Sequence, residues 1–548
     1  MTKITPLIVA CRENHFEVVK HLLNVRKRRF EEAEEKKEGK KDPNGYKRQI
    51  PYILNHTRSV AMVTCLIADK NDVNVRDKEG RTPLIVAASN DCLEIVKYLI
   101  SIKANVNALD KNMVRSTYQT NQQLDSKIVL QLILEAKTSL IIAASFGYLD
   151  VVKYLIESGA NAELSDKSGR TALHFAAKSN HMEVVKYLLK KEVEKAIINK
   201  PDSHKRTALR FAAKSNHMEF VKYLLKKEAE KAIINKPDSH KMTPLIAAIF
   251  ERHMEMVKLL VEHGANVDAE NEKECPPLIS ACSVRSLKMV KYLVKNGALR
   301  DVKDSSGKTP LWTAFLNDDI KVIRYFLSRG IEVDEKDQKN SKTLLWAACE
   351  KGNMEMVRFL VSKKADVNTI NKDKIPASFV AYCNGYADIA KYLLEQKADV
   401  NARDKDGNTL LLYACSKGDI NFVREVVERG ADVNASGKNQ VLPSYVALSN
   451  GQTDIVKYLI DNKADVNARN KNGKPLLFAA LSRNNSEVAQ YLVEHNADIN
   501  ELDVDGNQLL TDSYTRIDID VFNYIMGVGA NVIAANEDRV IVLTVNKF

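Results

Sequence analysis

Gly80-Arg-Thr-Pro-Leu-Ile-Val-Ala-Ala88 and, four residues later, Leu93-Glu-Ile-Val-Lys-Tyr-Leu-Ile100 decide how this chain folds. Thr82 precedes Pro83, the order of an N-cap hydroxyl followed by a residue that tolerates the first helical position. The helix that follows carries the small pair Ala87 and Ala88, so a neighbour can approach closely. The second segment places Ile95, Val96, Leu99 and Ile100 on one face and Glu94 and Lys97 on the other, the pattern of a half-buried helix. Helices this short are unstable alone. The motif therefore requires neighbours.

Repetition supplies them. With Thr82 as marker, equivalent positions fall at 5, 49, 82, 138, 171, 207, 243, 276, 309, 343, 376, 409, 442, 475 and 508, which makes fifteen units. Eight of the last ten steps are 33 or 34 residues and two are 36. The small pair recurs as Ala143-Ala144, Ala176-Ala177 and Ala212-Ala213. Glycine stands 21 residues after the marker at 159, 264, 297, 330, 430 and 529, where a helix end wants a left-handed residue. An extended, turn-forming tip then leads to the next marker, as in Asp399-Val-Asn-Ala-Arg-Asp-Lys-Asp-Gly407. A period in this range means a stack of supersecondary units rather than one compact core.

Gly80–Ala88, Gly169-Arg-Thr-Ala-Leu-His-Phe-Ala-Ala177 and Gly264-Ala-Asn-Val-Asp268 resemble the ankyrin repeat, over roughly residues 1–535. The resemblance implies an all-α solenoid of stacked helix-turn-helix units with projecting β-hairpin-like tips, whose concave side and tips bind proteins. Residues 536–548 are left as a C-terminal tail or a truncated further repeat. The resemblance also points to asparaginyl hydroxylation at tip asparagines preceded by leucine eight residues earlier. Asn107, Asn368, Asn401 and Asn467 follow Leu99, Leu360, Leu393 and Leu459 in this way. The competing reading is that these asparagines only serve the turn.

Composition sets bounds. The 548 residues are 45% apolar and 28% charged, and no run of eighteen uncharged apolar residues exists to span a membrane. The N-terminal apolar run Pro6–Cys11 stops at Arg12 and Glu13, too short for a secretory signal. The expected compartment is cytoplasm or nucleus. The net charge of +11 is uneven: residues 376–548 hold 17 Lys plus Arg against 23 Asp plus Glu, or −6, which leaves +17 for residues 1–375. The two ends would favour different partners.

Breaks in the pattern are informative, because insertions in repeats collect on the binding side. The first insertion, about 24–48, holds Arg26, Lys27, Arg28 and Arg29, which read as a solvated charged segment or as a nuclear-import or anionic-partner patch. The second, about 109–137, contains the apolar run Ile128–Leu134, an added helix on the stack. The third break is a tandem duplication. Residues 171–206 and 207–242 differ only at His174/Arg210, Val184/Phe220, Val193/Ala229 and Arg206/Met242. The 72 residues hold 16 basic and 8 acidic side chains, net +8, and both copies end in a tip three residues longer than usual, Asn199–Lys205 and Asn235–Lys241. Lys178, Lys200, His204, Lys205, Lys214, Lys236, His240 and Lys241 are the expected contacts for an acidic protein segment.

No catalytic constellation emerges. Cys11, Cys282, Cys349 and Cys415 occupy the slot filled elsewhere by the second alanine, which makes them core residues, reduced and without a zinc-type pair. His15, His181, His217 and His253 share the turn between helices. Gly307-Lys308-Thr309 imitates a phosphate loop but lacks its first glycine, and Asp404–Gly407 and Asp503–Gly506 lack a calcium loop's ligand series. Trp312 and Trp346 lie three residues after a marker; they read as packing between units or, if exposed, as partner anchors. The chain is thus expected to be a monomeric, non-catalytic scaffold or adaptor for other proteins, with no cofactor, metal, membrane or small-molecule substrate. Polyanion binding by the basic front, and substrate recruitment within a ligase or other enzyme complex, are the alternatives.

Overall fold

The computed structural model describes residues 73–77, 80–110, 137–190, 198–226, 233–271, 274–501, 534–536 and 539–541, with a few isolated positions besides. Arg26, Lys27, Arg28, Arg29, Cys11, His15, the run 128–134 and residues 508–522 of the last marked repeat lie outside the described residues. The chain divides into two units, Met1–Asn317 and Asp318–Phe548.

In the first unit the markers from 82 to 276 each open a helix pair. The pairs are Pro83–Ser89 with Leu93–Ser101, Ser139–Phe146 with Leu149–Glu157, Ala172–Lys178 with Met182–Leu188, Ala208–Lys214 with Met218–Leu225, Pro244–Phe250 with Met254–Glu262, and Pro277–Ser283 with Leu287–Lys295. Pro310–Leu316 is this unit's last helix. The second unit begins with the helix Ile320–Ser328 and continues as five pairs, from Leu344–Lys351 with Met354–Ser362 to Leu476–Ser482 with Ser486–Glu494. Ala534–Asn536 pairs antiparallel with Arg539–Ile541, a hairpin that spans the position where the sequence reading ends the array.

The threonine markers act as caps. Thr82 Oγ1 accepts from the Ile85 N–H at 3.4 Å, Thr138 from Ile141 at 3.2 Å and Thr343 from Trp346 at 3.2 Å. Each satisfies one orphan donor of the first turn. Where the marker is Pro276, Pro376 or Pro475, no side chain caps the helix.

First helices of successive repeats pack on each other through the alanine pairs, and Val151, Val152 and Leu155 show how the second helices bury larger residues. Repeats are also tied by polar bonds. His181, His217 and His253 donate from Nε2 to the backbone carbonyls of Ser145, Lys178 and Lys214 in the preceding repeat, at 3.0, 2.8 and 3.0 Å. Asn317, Asn384 and Asn450 make the same backward bond from their amides.

Glycine is not obligatory at the second helix's end. Gly159, Gly264, Gly297, Gly330 and Gly430 have φ of 84–91°, but Lys103, Lys364, Lys397 and Lys463 adopt φ of 65–71° in the equivalent place. Each lysine there accepts a left-handed strain of about 1–2 kcal/mol.

Trp312 and Trp346 are 6% and 3% exposed, which corrects their use as partner anchors. The Trp346 indole N–H donates to the Ile375 carbonyl at 2.8 Å, a contact with the following tip. The side chain is occupied by its own chain.

Two of the four differences between the duplicated copies form a compensated pair. In the first copy, the tip aspartate Asp202 accepts from Arg206 Nε at 2.7 Å, four residues on. In the second copy that arginine is Met242, and the equivalent aspartate, Asp238, is 4% exposed. Arg210, which stands where the first copy has His174, reaches it with Nη2 at 2.8 Å. A buried carboxylate keeps a guanidinium from a different direction. Arg210→His is expected to cost about 3 kcal/mol locally by stranding Asp238. Hydrogen exchange over 238–242 should accelerate, and Met242→Arg in the same chain should restore it.

Candidate functional site

The two long tips are built from their aspartates outward. Asp202 Oδ1 accepts from the backbone N–H groups of His204 and Arg206 at 2.9 and 2.8 Å, and Asp238 Oδ1 from those of His240 and Met242 at 2.9 Å each. Both carboxylates face inward at 4% exposure, so the acids of these tips are withdrawn from the surface. What remains outside is basic: His204, Lys205, His240 and Lys241 are exposed. Lys205 and Lys241 hold φ of 58° and 54°, the left-handed position taken by Gly80, Gly169 and Gly407 in other tips.

Backbone bonds fasten the tips into a row. The Ser203 N–H donates to the Ser168 carbonyl at 2.8 Å, and the Ser239 N–H to the His204 carbonyl at 2.7 Å. Lys200 and Lys236, read from the sequence as partner contacts, serve the same row. Their ammonium groups donate to the carbonyls of Glu163 and Asn199 at 2.6 and 3.1 Å, each one tip back.

Lys178 and Lys214 are the exposed last residues of their first helices. Lys214 Nζ lies 3.5 Å from Glu251, an exposed pair of little energetic weight. Partial burial, followed by the like charges of Arg170, Arg206 and Lys214, lowers the pKa of Lys178. One turn earlier on the same helices stand Phe175 and Phe211, the only phenylalanines at that slot in the fifteen repeats. Arg170 and Lys137 lie over Phe175 at 4.7 and 4.6 Å from its centroid, and Arg206 lies over Phe211 at 5.0 Å. Sequence reading missed this cation-capped aromatic floor; its signal was a bulky residue at a slot otherwise held mostly by Val, Ile and Ala.

The tip asparagines are structural ties. Asn401 Oδ1 accepts from the Asp432 N–H at 2.8 Å while its Nδ2 donates to the Gly430 carbonyl at 3.1 Å, joining one tip to the next repeat. Asn107 makes the same two bonds to Asn161 and Gly159, and Asn368 and Asn467 accept from Asp399 and Asp498.

The groups considered for chemistry are occupied or inert. Cys282, Cys349 and Cys415 are wholly buried, and burial pushes the thiols of Cys349 and Cys415 up to about 12. Asp404 spends its carboxylate on its own turn, accepting from Asp406 and Asn408 backbone N–H and from the Tyr413 hydroxyl. Among the described residues, no three His, Cys, Asp or Glu gather to hold a metal, and no helix is long and apolar enough to cross a membrane.

The family signature "Ankyrin repeats (3 copies)" matches overlapping segments that together run from residue 42 to 536, broken only at 111–112, and "Ankyrin repeat" matches 2–27. The chain belongs to the ankyrin-repeat family. Two curated relatives share parts of it, both from Latrodectus tredecimguttatus. Alpha-latrocrustotoxin-Lt1a is 58% identical over 45 residues, 8% of this chain and 3% of that protein. Alpha-latroinsectotoxin-Lt1a is 34% identical over 107 residues, 19% of this chain and 7% of that protein. The chain therefore matches only a small fraction of either toxin's length. Ankyrin repeats are general protein-interaction modules, and the tips and helix ends of the duplicated repeats present exposed basic side chains while Asp202 and Asp238 are buried.

His174 sets a pH dependence for that row. Its Nδ1 accepts from the Thr171 N–H at 3.1 Å, and its Nε2 faces the Arg206 carbonyl at 3.1 Å, so the neutral ring is held from both sides. Burial lowers its pKa to about 4. The folded value lies below the unfolded one, near 6.5, so its contribution is complete above that pH and is lost as pH falls toward 4. By pH 5 the loss should be about 2 kcal/mol. Comparison with His174→Gln between pH 6.5 and 5, by hydrogen exchange over 171–178, should show the flatter profile in the variant. For the asparagine ties, Asn401→Ala should cost about 1–2 kcal/mol locally and speed exchange at the Asp432 amide.

Proposed function

We propose that this ankyrin-repeat chain is a non-catalytic scaffold that captures partner proteins through the basic row of the duplicated repeats. The observation that carries this is the sorting of charge. Asp202 and Asp238 are turned inward, while Lys205 and Lys241 are exposed on the hydrogen-bonded row of tips and Lys178 and Lys214 are exposed at the ends of the first helices of the same two repeats. A rigid cationic edge selects an acidic protein segment and speeds its encounter.

Nucleic acid is a poorer fit to the same surface. Base stacking needs open aromatic faces, and the rings of Phe175 and Phe211 are already capped by Arg170, Lys137 and Arg206. Cytoplasm or nucleus is the proposed compartment, the one in which reduced structural cysteines such as Cys349 and Cys415 are ordinary.

Reversing Lys178, Lys205, Lys214 and Lys241 together to glutamate tests the proposal, because all four are exposed and the fold should survive. Partners recovered from source cells on the wild-type chain should be lost from the variant by about tenfold or more. An unchanged set of partners, with an unchanged far-ultraviolet circular dichroism spectrum, would overturn it.

A further inference from the structure

The slot at the end of the first helix, seven residues after the marker, is serine in six of the fifteen repeats, among them Ser89, Ser283, Ser416, Ser449 and Ser482. Three consecutive repeats of the first unit break that habit with Lys178, Lys214 and Phe250, and in the repeat just before them Phe146 stands one residue further on. Phe146 and Phe250 are 43% and 41% exposed, unusual for phenylalanines that end otherwise well-buried helices. Phe146 is backed by Tyr148, whose ring stacks on it at 5.6 Å between centroids. Along four successive repeats the edge thus reads apolar, basic, basic, apolar.

The two basic positions are crowded by like charge. Arg170, Arg206 and Lys214 all act on Lys178, while the guanidiniums of Arg170 and Arg206 are held in place by Asp166, Asp202 and the phenylalanine floor. Glu251 faces Lys214 across an exposed 3.5 Å contact that a ligand carboxylate can replace. Exposed aromatic residues at both ends of a charged stretch are the arrangement in which anchors set affinity and charge sets register.

We infer that Phe146, Lys178, Lys214 and Phe250 together bind one extended segment of a partner protein that is acidic in its middle and apolar at both ends. The inference rests on the scaffold reading above and names the chemistry of its partner. Spacing makes it specific. Packed helices stand about 10 Å apart, so the three steps from Phe146 to Phe250 span about 30 Å. An extended chain rises about 3.3 Å per residue, so about nine residues bridge the anchors, with acids about three and six residues after the first.

The probe is a blocked decapeptide, Leu-Ser-Thr-Glu-Gly-Ser-Glu-Thr-Ser-Leu, carrying a neutral fluorophore and read by anisotropy against the full-length chain. Saturable binding is expected. Lys178→Glu with Lys214→Glu should weaken it by about tenfold or more and should create binding of the same peptide with lysine in place of both glutamates. Phe146→Ser with Phe250→Ser should weaken it by about fivefold or more, whereas Lys205→Glu with Lys241→Glu should leave it within about twofold, since the tips lie off this line. Absence of binding to the wild-type chain, or binding indifferent to Lys178 and Lys214, overturns the inference. If the peptide fails while partners from source cells still depend on the four lysines, this inference falls alone and the scaffold reading stands.

Discussion

How close two first helices can come governs the rest of this molecule. Ala87-Ala88, Ala143-Ala144, Ala176-Ala177 and Ala212-Ala213 are all but fully buried, and with no side chain beyond a methyl they let neighbouring repeats meet nearly backbone to backbone. Close approach brings the tips within bonding distance, which is why Ser203 reaches Ser168 and Ser239 reaches His204 through main-chain groups alone. Where the slot holds Cys282, Cys349 or Cys415 the seam still closes, because a thiol is the next smallest apolar group. That slot also takes Ile249, Phe315, Tyr382, Leu448 and Leu481, all buried, so it is the first alanine of the pair, kept in those repeats as Ala248, Ala314, Ala381, Ala447 and Ala480, that holds the helices close.

Much of the architecture could be read from the amino acids, since the features that define it are local and repeated. A threonine before the first helix, a small pair in its middle and a turn residue after the second helix each act within a few positions of themselves. Lys103, Lys364, Lys397 and Lys463 mark the limit of such reading. The backbone at these sites needs a left-handed conformation set by the helix end, and residue identity does not announce it when glycine is missing.

The surface was less legible. Lys200 and Lys236 looked identical to Lys205 and Lys241 in sequence, a basic residue on a long tip. Only the folded backbone separates the pair that reaches back to a carbonyl from the pair left outside. For Trp312 and Trp346 the sequence left packing between units and partner anchoring both open; the structure selects packing, and for Trp346 the Ile375 carbonyl of the following tip takes the indole N–H. Arg210 and Asp238 are 28 residues apart, so their partnership was hidden although both residues sit in a region of plain internal repetition.

That partnership bears on how the duplication can change over time. Two tandem segments with 32 of 36 positions in common invite misaligned recombination, which would shorten the array by one repeat. A crossover falling between the equivalents of residues 174 and 206 would keep the histidine of the first copy and the methionine of the second. The surviving tip aspartate would then face neither arginine. Lengthening the array by the reciprocal exchange leaves every such aspartate with at least one guanidinium, so the molecule tolerates gain of this repeat more readily than its loss.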